Sequence, residues 1–385
     1  MQGIFTGSGG PITTIADHTG GDFGFGNTSI NNSGTVASHS FGKGIFTGNG
    51  GPTTTLYSDF TQFAFARFPS LNDRGTVAFF GQLNMGEIGI FTGNGGPTTT
   101  IADISGPFSA VFPETSLNDS GTVAFSAHLD TPLQQGIFTG DGGPTKTIAD
   151  TSGPFNTFSY PGSFYTFPSP SLNEGGTVAF VAFLDTGETG IFSGSGGPTT
   201  IIADSSGLFG GFGSPSLNDS GTVAFSAVVD TGQAGIFTGP DPIADEVISS
   251  GDTLFGSTVV GAVTFKESLN DAGQIAFIYQ LADERRGIAR ADPLVIPAPE
   301  PGTVALLVAG LLGAVLCGAR ANRRGPCPHG ASHMKVARAG SAESGRQSRT
   351  IRATLAPQSV HSASLRHFLM LRRAFLLTTR YAGRP

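Results

Sequence analysis

The 385-residue chain has no tryptophan, only two cysteines and few charged residues, which make up 13% of it. Cys317 and Cys327 both lie outside the repeated part of the sequence, so no disulfide framework is predicted there, and their spacing is not that of a metal site. His18, His39 and His128 fall at unrelated points of the repeats, and no Ser-His-Asp, zinc or phosphate-loop pattern occurs. The sequence therefore predicts no catalytic residue, no cofactor and no metal site.

Basic residues are scarce over most of the chain. Of the 21 lysines and arginines, 13 lie from Arg320 onward, where Glu343 is the single acid. The residues before position 320 carry 8 basic and 27 acidic side chains, a formal balance of −19. Because nucleic-acid binding needs a basic face, this acidic part is not predicted to bind nucleic acid.

An N-terminal leader is missing from the sequence. An exported protein begins with a basic and then an apolar segment, whereas a strand of the repeat starts here at Gly3. We interpret this abrupt start as a truncation of the true N-terminus. The alternative is a protein that stays inside the cell.

What the sequence does contain is a repeat, Asn-x-x-Gly-x-x-Ala, usually followed by Phe. Its six copies are separated by 41, 46, 55, 45 and 52 residues. The Asn side chain can accept a hydrogen bond from the backbone two residues on, and the Gly supplies the positive φ of a type I turn with a bulge. Each copy therefore predicts a strand, a tight turn and a second strand. The predicted turn residues are Asn31 and Gly34, Asn72 and Gly75, Asn118 and Gly121, Asn173 and Gly176, Asn218 and Gly221, and Asn270 and Gly273.

A second signature, Gly-Ile-Phe-Thr-Gly, predicts another hairpin in each unit. Five of its seven copies lead into x-Gly-Gly-Pro and a Thr-rich segment, which ends in Ile-Ala-Asp in four of them. Four short antiparallel strands in a period near 45 residues are typical of a propeller blade. We predict an all-β fold for residues 1–292, a β-propeller of six four-stranded blades, or of seven if upstream residues are missing. An open stack of hairpins is the alternative.

The two ends of the repeated region predict how a ring would close. Residues 3–17 supply only the second hairpin of a unit. The last unit, up to Asp292, has its first hairpin and a weakened third strand around Ile288, with no clear fourth strand. We predict that the first strands of the chain complete the last blade.

The longest connector, residues 154–170, is rich in aromatic residues. Phe158, Tyr160 and Tyr165 are the candidates for a platform that binds a glycan or another protein. The alternative is packing between blades or over one end of the core.

Aspartates recur at the ends of strands, as in the Ile-Ala-Asp segments that end at Asp103, Asp150 and Asp204. A ring of such carboxylates could bind Ca²⁺, which takes oxygen ligands. No dense Asp-x-Asp-x-Asp loop occurs, so we interpret these aspartates as turn caps and predict no metal.

The character of the sequence changes after Asp292. Residues 293–302 form a Pro-rich linker, and residues 303–319 carry no charge over seventeen positions, the lower limit for spanning a bilayer. Arg320, Arg323 and Arg324 follow, and such a basic flank stays cytoplasmic, which places the repeats on the other side of the membrane. We predict a transmembrane helix within 303–324, the alternative being a buried core helix. The basic tail, 325–385, is predicted to be disordered, as a frameshift or read-through product or else as a basic interaction tail.

Two family resemblances rest on these motifs. Pro299-Glu300-Pro301-Gly302, the uncharged segment and the arginine cluster together resemble the PEP-CTERM sorting signal of Gram-negative bacteria, which in that family is recognised by an exosortase. The repeats resemble the bacterial choice-of-anchor proteins with tandem Asn-x-x-Gly-x-x-Ala-Phe motifs. This chain departs from those families in lacking a leader, in continuing for residues 325–385, and in having Ser38 where the first motif expects Phe.

The resemblances imply an exported protein held for a time in the inner membrane, cut near the Pro-Glu-Pro motif, and passed to the cell surface or extracellular matrix. The implied partners are an exosortase-type enzyme, the inner membrane, and an exopolysaccharide or surface protein. We therefore expect a noncatalytic surface or matrix protein that binds protein or glycan. The alternative is a secreted or periplasmic hydrolase, because propellers host both classes.

Overall fold

The computed structural model describes residues 3–8, 11–17, 23–84, 86–132, 134–160 and 168–293, and this part of the chain consists of strands and turns without a helix. No helix among these residues is long and apolar enough to cross a membrane. The predicted sorting motif around Glu300, the predicted transmembrane helix at 303–324 and the tail at 325–385 lie outside the described residues.

In the part of the chain that the structure describes, twenty-eight strands form a short N-terminal hairpin and six larger antiparallel sheets. The hairpin consists of β1 (Gly3–Thr6) and β2 (Thr13–Asp17). Blade 1 consists of β3 (Phe23–Ile30), β4 (Val36–Phe41), β5 (Gly44–Gly48) and β6 (Thr54–Tyr57). Blade 2 consists of β7 (Phe63–Leu71), β8 (Val77–Leu83), β9 (Ile88–Gly93) and β10 (Thr99–Asp103). Blade 3 consists of β11 (Phe108–Leu117), β12 (Val123–Leu129), β13 (Gln135–Gly140) and β14 (Lys146–Asp150).

The next two blades have a first strand that is interrupted, so that two short strands pair with the same second strand. Blade 4 consists of β15 (Phe155–Thr157), β16 (Ser171–Leu172), β17 (Val178–Leu184), β18 (Thr189–Gly194) and β19 (Thr200–Asp204). Blade 5 consists of β20 (Phe209–Phe212), β21 (Ser216–Leu217), β22 (Val223–Val229), β23 (Ala234–Phe237) and β24 (Glu246–Ser249). Blade 6 consists of β25 (Thr253–Leu254), β26 (Ser257–Val263), β27 (Ile275–Leu281) and β28 (Arg286–Ala291).

The six sheets have the arrangement of a six-blade β-propeller, as the repeat predicts. The first strands of successive blades contact one another, for example β3 with β7 and β7 with β11, so these strands are innermost. One face of the propeller carries the Asn-x-x-Gly turns and the turns between third and fourth strands. The opposite face, here called the connector face, carries the turns between second and third strands and the connections from blade to blade.

Each central blade is held together by three phenylalanine rings. In blade 3, Phe138 of the third strand lies 5.8 Å from Phe125 of the second strand and 5.0 Å, edge to face, from Phe108 of the first strand. All three rings are buried. Such offset and edge-on pairs stabilise a core beyond the area that they remove from water. The same three-ring arrangement recurs in blades 2, 4 and 5, around Phe91, Phe192 and Phe237.

The Asn-x-x-Gly segments form tight turns between first and second strands. Gly121 has φ of +90°, and its N–H donates to the Asn118 carbonyl at 3.1 Å. Asn118 Oδ1 accepts from the N–H of Thr122 at 2.9 Å, four residues on. In blade 2, Asn72 Oδ1 also accepts from the Arg74 N–H at 3.1 Å, two residues on, as the sequence predicts. The positive φ of the glycine turns the chain back, so that Thr122, the residue before β12, faces the asparagine.

The N-terminal hairpin differs from the expected ring closure. β1 and β2 form a separate two-stranded sheet, and β28 is the edge of its own sheet within the described residues. Ile4 and Ile15 pack on Val36 and Phe46 of blade 1. Because β1 has the Gly-Ile-Phe-Thr sequence of a third strand, and β28 already fills that place in blade 6, the hairpin is the outer half of a further unit beside blade 1.

Candidate functional site

The residues of the repeat motif join neighbouring blades. At the junction of blades 3 and 4, Asn118 Nδ2 donates to the Asn173 carbonyl at 3.3 Å, and Ser116 Oγ accepts from the Leu172 N–H at 3.1 Å. The same two hydrogen bonds occur at each junction from blade 1 to blade 6, with the asparagine pairs Asn31 and Asn72, Asn72 and Asn118, Asn173 and Asn218, and Asn218 and Asn270. The motif is therefore structural, and a functional site is to be sought where blades depart from it.

The recurring aspartates form turns in the structure. The carboxylate of Asp150 accepts from the N–H and the hydroxyl of Ser152, at 2.9 and 2.5 Å. Asp103 and Asp204 do the same with Ser105 and Ser206. In the part of the chain that the structure describes, no group of three His, Cys, Asp or Glu side chains is placed to hold a metal ion.

The described part of the aromatic connector packs between blades. Phe158 is buried, with its ring 5.3 Å from Phe155 and 5.8 Å from Phe180. The hydroxyl of Tyr160 donates to the Phe212 carbonyl of blade 5 at 3.1 Å, and burial raises the pKa of Tyr160. The third predicted platform residue, Tyr165, lies outside the described residues. The placement of the first two corresponds to the packing alternative.

Blade 1 departs from the repeat at its connection to blade 2. Three other connections have the Asp-x-Ser-Gly turn, whereas the aligned residues here are Ser58-Asp59-Phe60-Thr61. The Asp59 side chain points inward and is buried. Its carboxylate accepts from the Gly42 N–H at 3.1 Å, from the Ala66 N–H at 3.2 Å and from Arg67 Nη1 at 2.9 Å. A buried ion pair with two further backbone donors fixes two turns of the connector face to each other.

This arrangement displays two phenylalanines. Phe41, the last residue of β4, is 59% exposed, and Phe60, in the connection to blade 2, is 75% exposed. The Arg67 guanidinium lies 4.9 Å from the centre of the Phe41 ring, within the range of a cation–π contact. Phe60 has φ of +67°, which is uncommon for a bulky residue. We call His39, Phe41, Asp59, Phe60 and Arg67 the blade 1 patch.

His39 is the buried histidine of the blade 1 patch. It is buried, and its Nδ1 accepts from the N–H of Phe68 at 3.4 Å, so the ring is neutral there. Burial and the nearby Arg67 charge lower the pKa of His39 to about 4, against the opposite effect of Asp59. The ring lies so close to Gly26 that a β-carbon at that position would overlap it. His39 is therefore uncharged at neutral pH.

A second departure from the repeat lies on the innermost strands, where each first strand is irregular. The carboxylate of Glu267 in blade 6 accepts from Ser29 Oγ of blade 1 at 2.7 Å and from Ser70 Oγ of blade 2 at 2.8 Å. Glu267 has φ of +60° and lies 3.5 Å from Lys266 Nζ. On blades 3 to 5, Glu114 accepts from Ser169 Oγ at 3.2 Å, and Ser214 Oγ accepts from the Ser169 N–H at 3.1 Å. We call Glu114, Glu267 and these serines the axial cluster.

A family model places the chain among known proteins. The family of unknown function DUF7453 matches residues 96–304, slightly more than half of the chain. The chain belongs to this family. No curated protein matches the DUF7453 chain at a significant level.

Solved structures similar to this DUF7453 protein are distant in sequence. An oligogalacturonate lyase in complex with manganese shares 9% identity over 70% of this chain and 76% of its own, with a TM-score of 0.45. The SapL1 lectin in complex with alpha methyl fucoside shares 11% identity over 70% and 96%, with a TM-score of 0.36. The WD40 domain of SCAP from fission yeast shares 11% identity over 71% and 67%, with a TM-score of 0.34.

Sequence reasoning missed both departures in the DUF7453 chain. The search for a catalytic pattern treated His39 as an isolated histidine and gave no role to Asp59 or Glu267. A signal was present, since aligning the units shows Ser58-Asp59-Phe60-Thr61 where other connections have Asp-x-Ser-Gly, and Lys266-Glu267 where others have Pro or Thr before Ser-Leu-Asn. A residue that departs from a regular repeat marks a position where the fold does not require the departing residue.

Proposed function

We propose that this protein is a noncatalytic binding protein of the cell exterior and that it binds a protein or glycan through the blade 1 patch. The observation that carries the proposal is the exposure of Phe41 and Phe60 on a fixed base. Aromatic side chains and arginine are the residues that most often dominate the binding energy of an interface.

The anchoring of the patch favours binding over accidental exposure. Asp59 joins the turn that carries Phe41 to the turn that carries Phe60, and Arg67 lies against the first ring. Rings that are already held in place lose little conformational entropy when a partner covers them. The flat faces of such rings can stack on the C–H face of a sugar or fill a pocket of a protein.

A panel of exopolysaccharides and surface proteins from the host tests the site. We expect Phe60→Ser and Phe41→Ser each to weaken binding of the recognised partner by tenfold or more. Leu208→Ser is the matched control, because Leu208 is 57% exposed in the connection between blades 4 and 5 on the same face. Equal losses in all three variants, or none, would overturn the assignment to this patch.

The proposed route to the cell exterior rests on the sequence from Pro297 to Arg324. An uncharged segment at the lower limit of spanning length anchors the chain weakly, and the Pro-rich approach keeps the backbone extended for an exosortase-type enzyme. Mass spectrometry of the mature protein in its host, produced with a leader, should find a C-terminus near residue 300. An intact C-terminus in the cytoplasmic fraction would refute the export proposal and would leave the proposed binding site unaffected.

The second candidate function is hydrolysis at the axial cluster. Two carboxylates serve as acid and base or nucleophile in glycoside hydrolysis. Glu114 lies on the innermost strand β11, and Glu267 lies in the turn that follows β26. Screening against polysaccharides and esters tests it. Turnover that Glu267→Gln abolishes with an unchanged melting temperature would favour the hydrolase, and the absence of turnover would favour the binding protein.

A further inference from the structure

The junction of blade 6 with blade 1 lacks the hydrogen bonds that join the other blades. At each of the first five junctions, the residue after the repeat asparagine donates its N–H to an acid of the next blade, as Asp119 does to Glu174 at 2.6 Å. Blade 1 has Asn32 at this position, and among the described residues it accepts no hydrogen bond from the N–H of Asp271 in blade 6. The buried hydroxyl of Ser268 also has no partner among these residues, although its five equivalents accept a leucine N–H of the next blade.

Apolar packing is interrupted at the same junction. In blade 3, Phe125 belongs to a buried cluster that includes Ile90 of blade 2. The cluster around Phe46 of blade 1 instead takes its neighbours from the N-terminal hairpin, and the cluster around Phe277 of blade 6 takes its neighbours from blade 5. In the described part of the chain, no buried apolar cluster contains side chains of both blade 6 and blade 1.

One side chain spans this junction. The Glu267 carboxylate accepts from Ser29 Oγ at 2.7 Å and from Ser70 Oγ at 2.8 Å, so a residue of blade 6 contacts blades 1 and 2 at once. Both serines are buried, and their hydroxyl oxygens accept the leucine N–H groups that join blade 1 to blade 2 and blade 2 to blade 3. Hydrogen bonds to an ionised carboxylate are about twice as strong as those between neutral groups. Glu267 therefore supplies the main polar contact that closes the ring.

The backbone of Glu267 is held in an uncommon conformation. Its φ is +60°, in the left-handed region. The five equivalent positions before the repeat serine have proline or threonine without a positive φ: Thr28, Pro69, Thr115, Pro170 and Pro215. A residue remains in such a conformation only where its surroundings enforce it. The two serine hydroxyls that hold the carboxylate enforce it here, so the loss of these contacts would allow the turn to relax.

We propose that Glu267 is the latch of the propeller: its carboxylate holds blade 6 against blades 1 and 2, and the ring opens and closes at this junction while the individual blades stay folded. Local opening is expected where few buried contacts join two parts of a fold. Opening separates Glu267 from Ser29 and Ser70 and gives solvent access to the axial cluster. The proposal does not depend on the blade 1 patch, whose residues lie at the junction of blades 1 and 2.

Glu114 offers a matched control. Its carboxylate accepts from Ser169 Oγ at 3.2 Å, across the junction of blades 3 and 4. That junction also has the asparagine and serine hydrogen bonds and a buried apolar cluster with side chains of both blades. Removal of the Glu114 carboxylate should therefore leave its junction closed, whereas removal of the Glu267 carboxylate should open the junction of blades 6 and 1.

Distances between spin labels on neighbouring repeat turns test the latch. The full chain, with both native cysteines replaced by serine, carries one pair of labels across the closing junction, at Ser33→Cys in blade 1 and Ala272→Cys in blade 6. A second chain carries the matched pair in blades 2 and 3, at Arg74→Cys and Ser120→Cys. All four positions are exposed and lie in equivalent turns. The two pairs therefore report on the same geometry at two different junctions.

The pair across blades 6 and 1 should give the broader distance distribution even with both glutamates in place. Glu267→Ala should move this distribution to longer distances by more than its original width and leave the pair across blades 2 and 3 unchanged. Glu114→Ala should change neither pair. Glu267→Gln keeps the shape of the side chain and replaces the alanine variant if that variant does not fold. It should broaden the first pair, because only one end of an amide can accept a hydrogen bond.

Three results would overturn the latch. Equal widths for the two pairs in the chain with both glutamates would show that blade 6 is joined to blade 1 as firmly as blade 2 is to blade 3. An unchanged first pair in a folded Glu267 variant would show that other contacts hold the ring closed. Movement of both pairs would show that Glu267 stabilises the whole domain rather than one junction.

Discussion

The five junctions between successive blades differ from the junction that brings blade 6 back to blade 1. At the first five, an asparagine amide and a serine hydroxyl of one blade bond to the backbone of the next. At the last junction, Asn270 Nδ2 instead donates to Gln274 Oε1 of its own turn at 2.9 Å, and the buried hydroxyl of Ser268 has no hydrogen-bond partner among the described residues. Glu267, which bonds Ser29 and Ser70, replaces these hydrogen bonds.

The burial of apolar side chains also differs between the last junction and the first five. Ile30, the residue before the first repeat asparagine, is 52% exposed, while its equivalents in the other five units are buried: Leu71, Leu117, Leu172, Leu217 and Leu269. Phe5 of the hairpin is 44% exposed, although the phenylalanines at its position in blades 1 to 5 are buried. A repeat residue therefore stabilises the ring only where the neighbouring unit supplies the backbone group or the apolar surface that this residue contacts.

The largest contrast is expected for the phenylalanine of the third strand. Phe138→Ala removes a ring packed between two others and leaves a cavity, which should lower the free energy of unfolding by about 3 to 5 kcal/mol. Phe5→Ala is the same change in the N-terminal hairpin beside blade 1. It should cost less than about 1 kcal/mol, since this ring is already partly in water. Chemical denaturation of both variants measures the difference, and equal costs would show that Phe5 is as tightly packed as Phe138.

The repeat asparagine should show the next largest contrast. Asn118→Ala removes the acceptor for the Thr122 N–H and the donor to the Asn173 carbonyl, and should lower the free energy of unfolding by about 3 kcal/mol because buried polar groups lose their partners. Asn270→Ala breaks hydrogen bonds within one exposed turn and should cost only about 1 kcal/mol. A cost for Asn270→Ala as large as that for Asn118→Ala would show that this side chain also holds the ring closed.

Substitution of the turn glycine should cost the same in blade 3 as in blade 6. This result would separate local backbone strain from the loss of contacts between blades. Gly121 and Gly273 have φ of +90° and +75°. A β-branched residue is strained at such angles wherever the turn lies, so Gly121→Val and Gly273→Val should each cost about 1 to 3 kcal/mol. Melting temperatures of the two variants provide the measurement. A neutral Gly121→Val would show that the turn can be rebuilt without positive φ.

His39 should make the stability of the junction of blades 1 and 2 depend on pH. The pKa of His39 is lowered from 6.5 to about 4 in the folded chain, so the unfolded chain binds the extra proton first. Its contribution to stability is complete above about pH 6.5 and is lost as the pH falls toward 4. His39→Gln should remove this part of the pH dependence, measured by urea unfolding at pH 7 and pH 4.5. An unchanged difference between the two pH values would refute the role of His39.

The blades could be predicted from the sequence because their determinants are local. Asparagine, glycine and alternating apolar residues within about ten positions specify a turn and its strands, whatever the rest of the chain does. The closing contact could not be predicted in this way. Glu267 meets Ser29 and Ser70 across 238 and 197 residues of sequence, and nothing near Glu267 in the chain indicates those partners.

The blade 1 patch was hidden for a different reason. A catalytic motif search looks for residue types at known spacings, whereas His39, Asp59 and Arg67 come from three different strands or turns. Their only trace in the sequence is a departure from the repeat. Phe158 was placed on a candidate platform because aromatic residues cluster there, but composition does not distinguish a ring that faces water from one that fills a core.

The repetition of the same hydrogen bonds between blades has a consequence for how such a protein can change over generations. Each junction uses the serine and asparagine of one unit, the backbone of the unit that follows, and the acid after the repeat asparagine of that following unit, such as Asp119 or Glu174, so copies of the repeat fit each other. Loss or duplication of a whole period, such as residues 173–217, would bring together two surfaces that already match. The number of units can thus vary without a new interface having to arise, while the residues at the seam, Glu267 above all, decide which numbers can still form a ring.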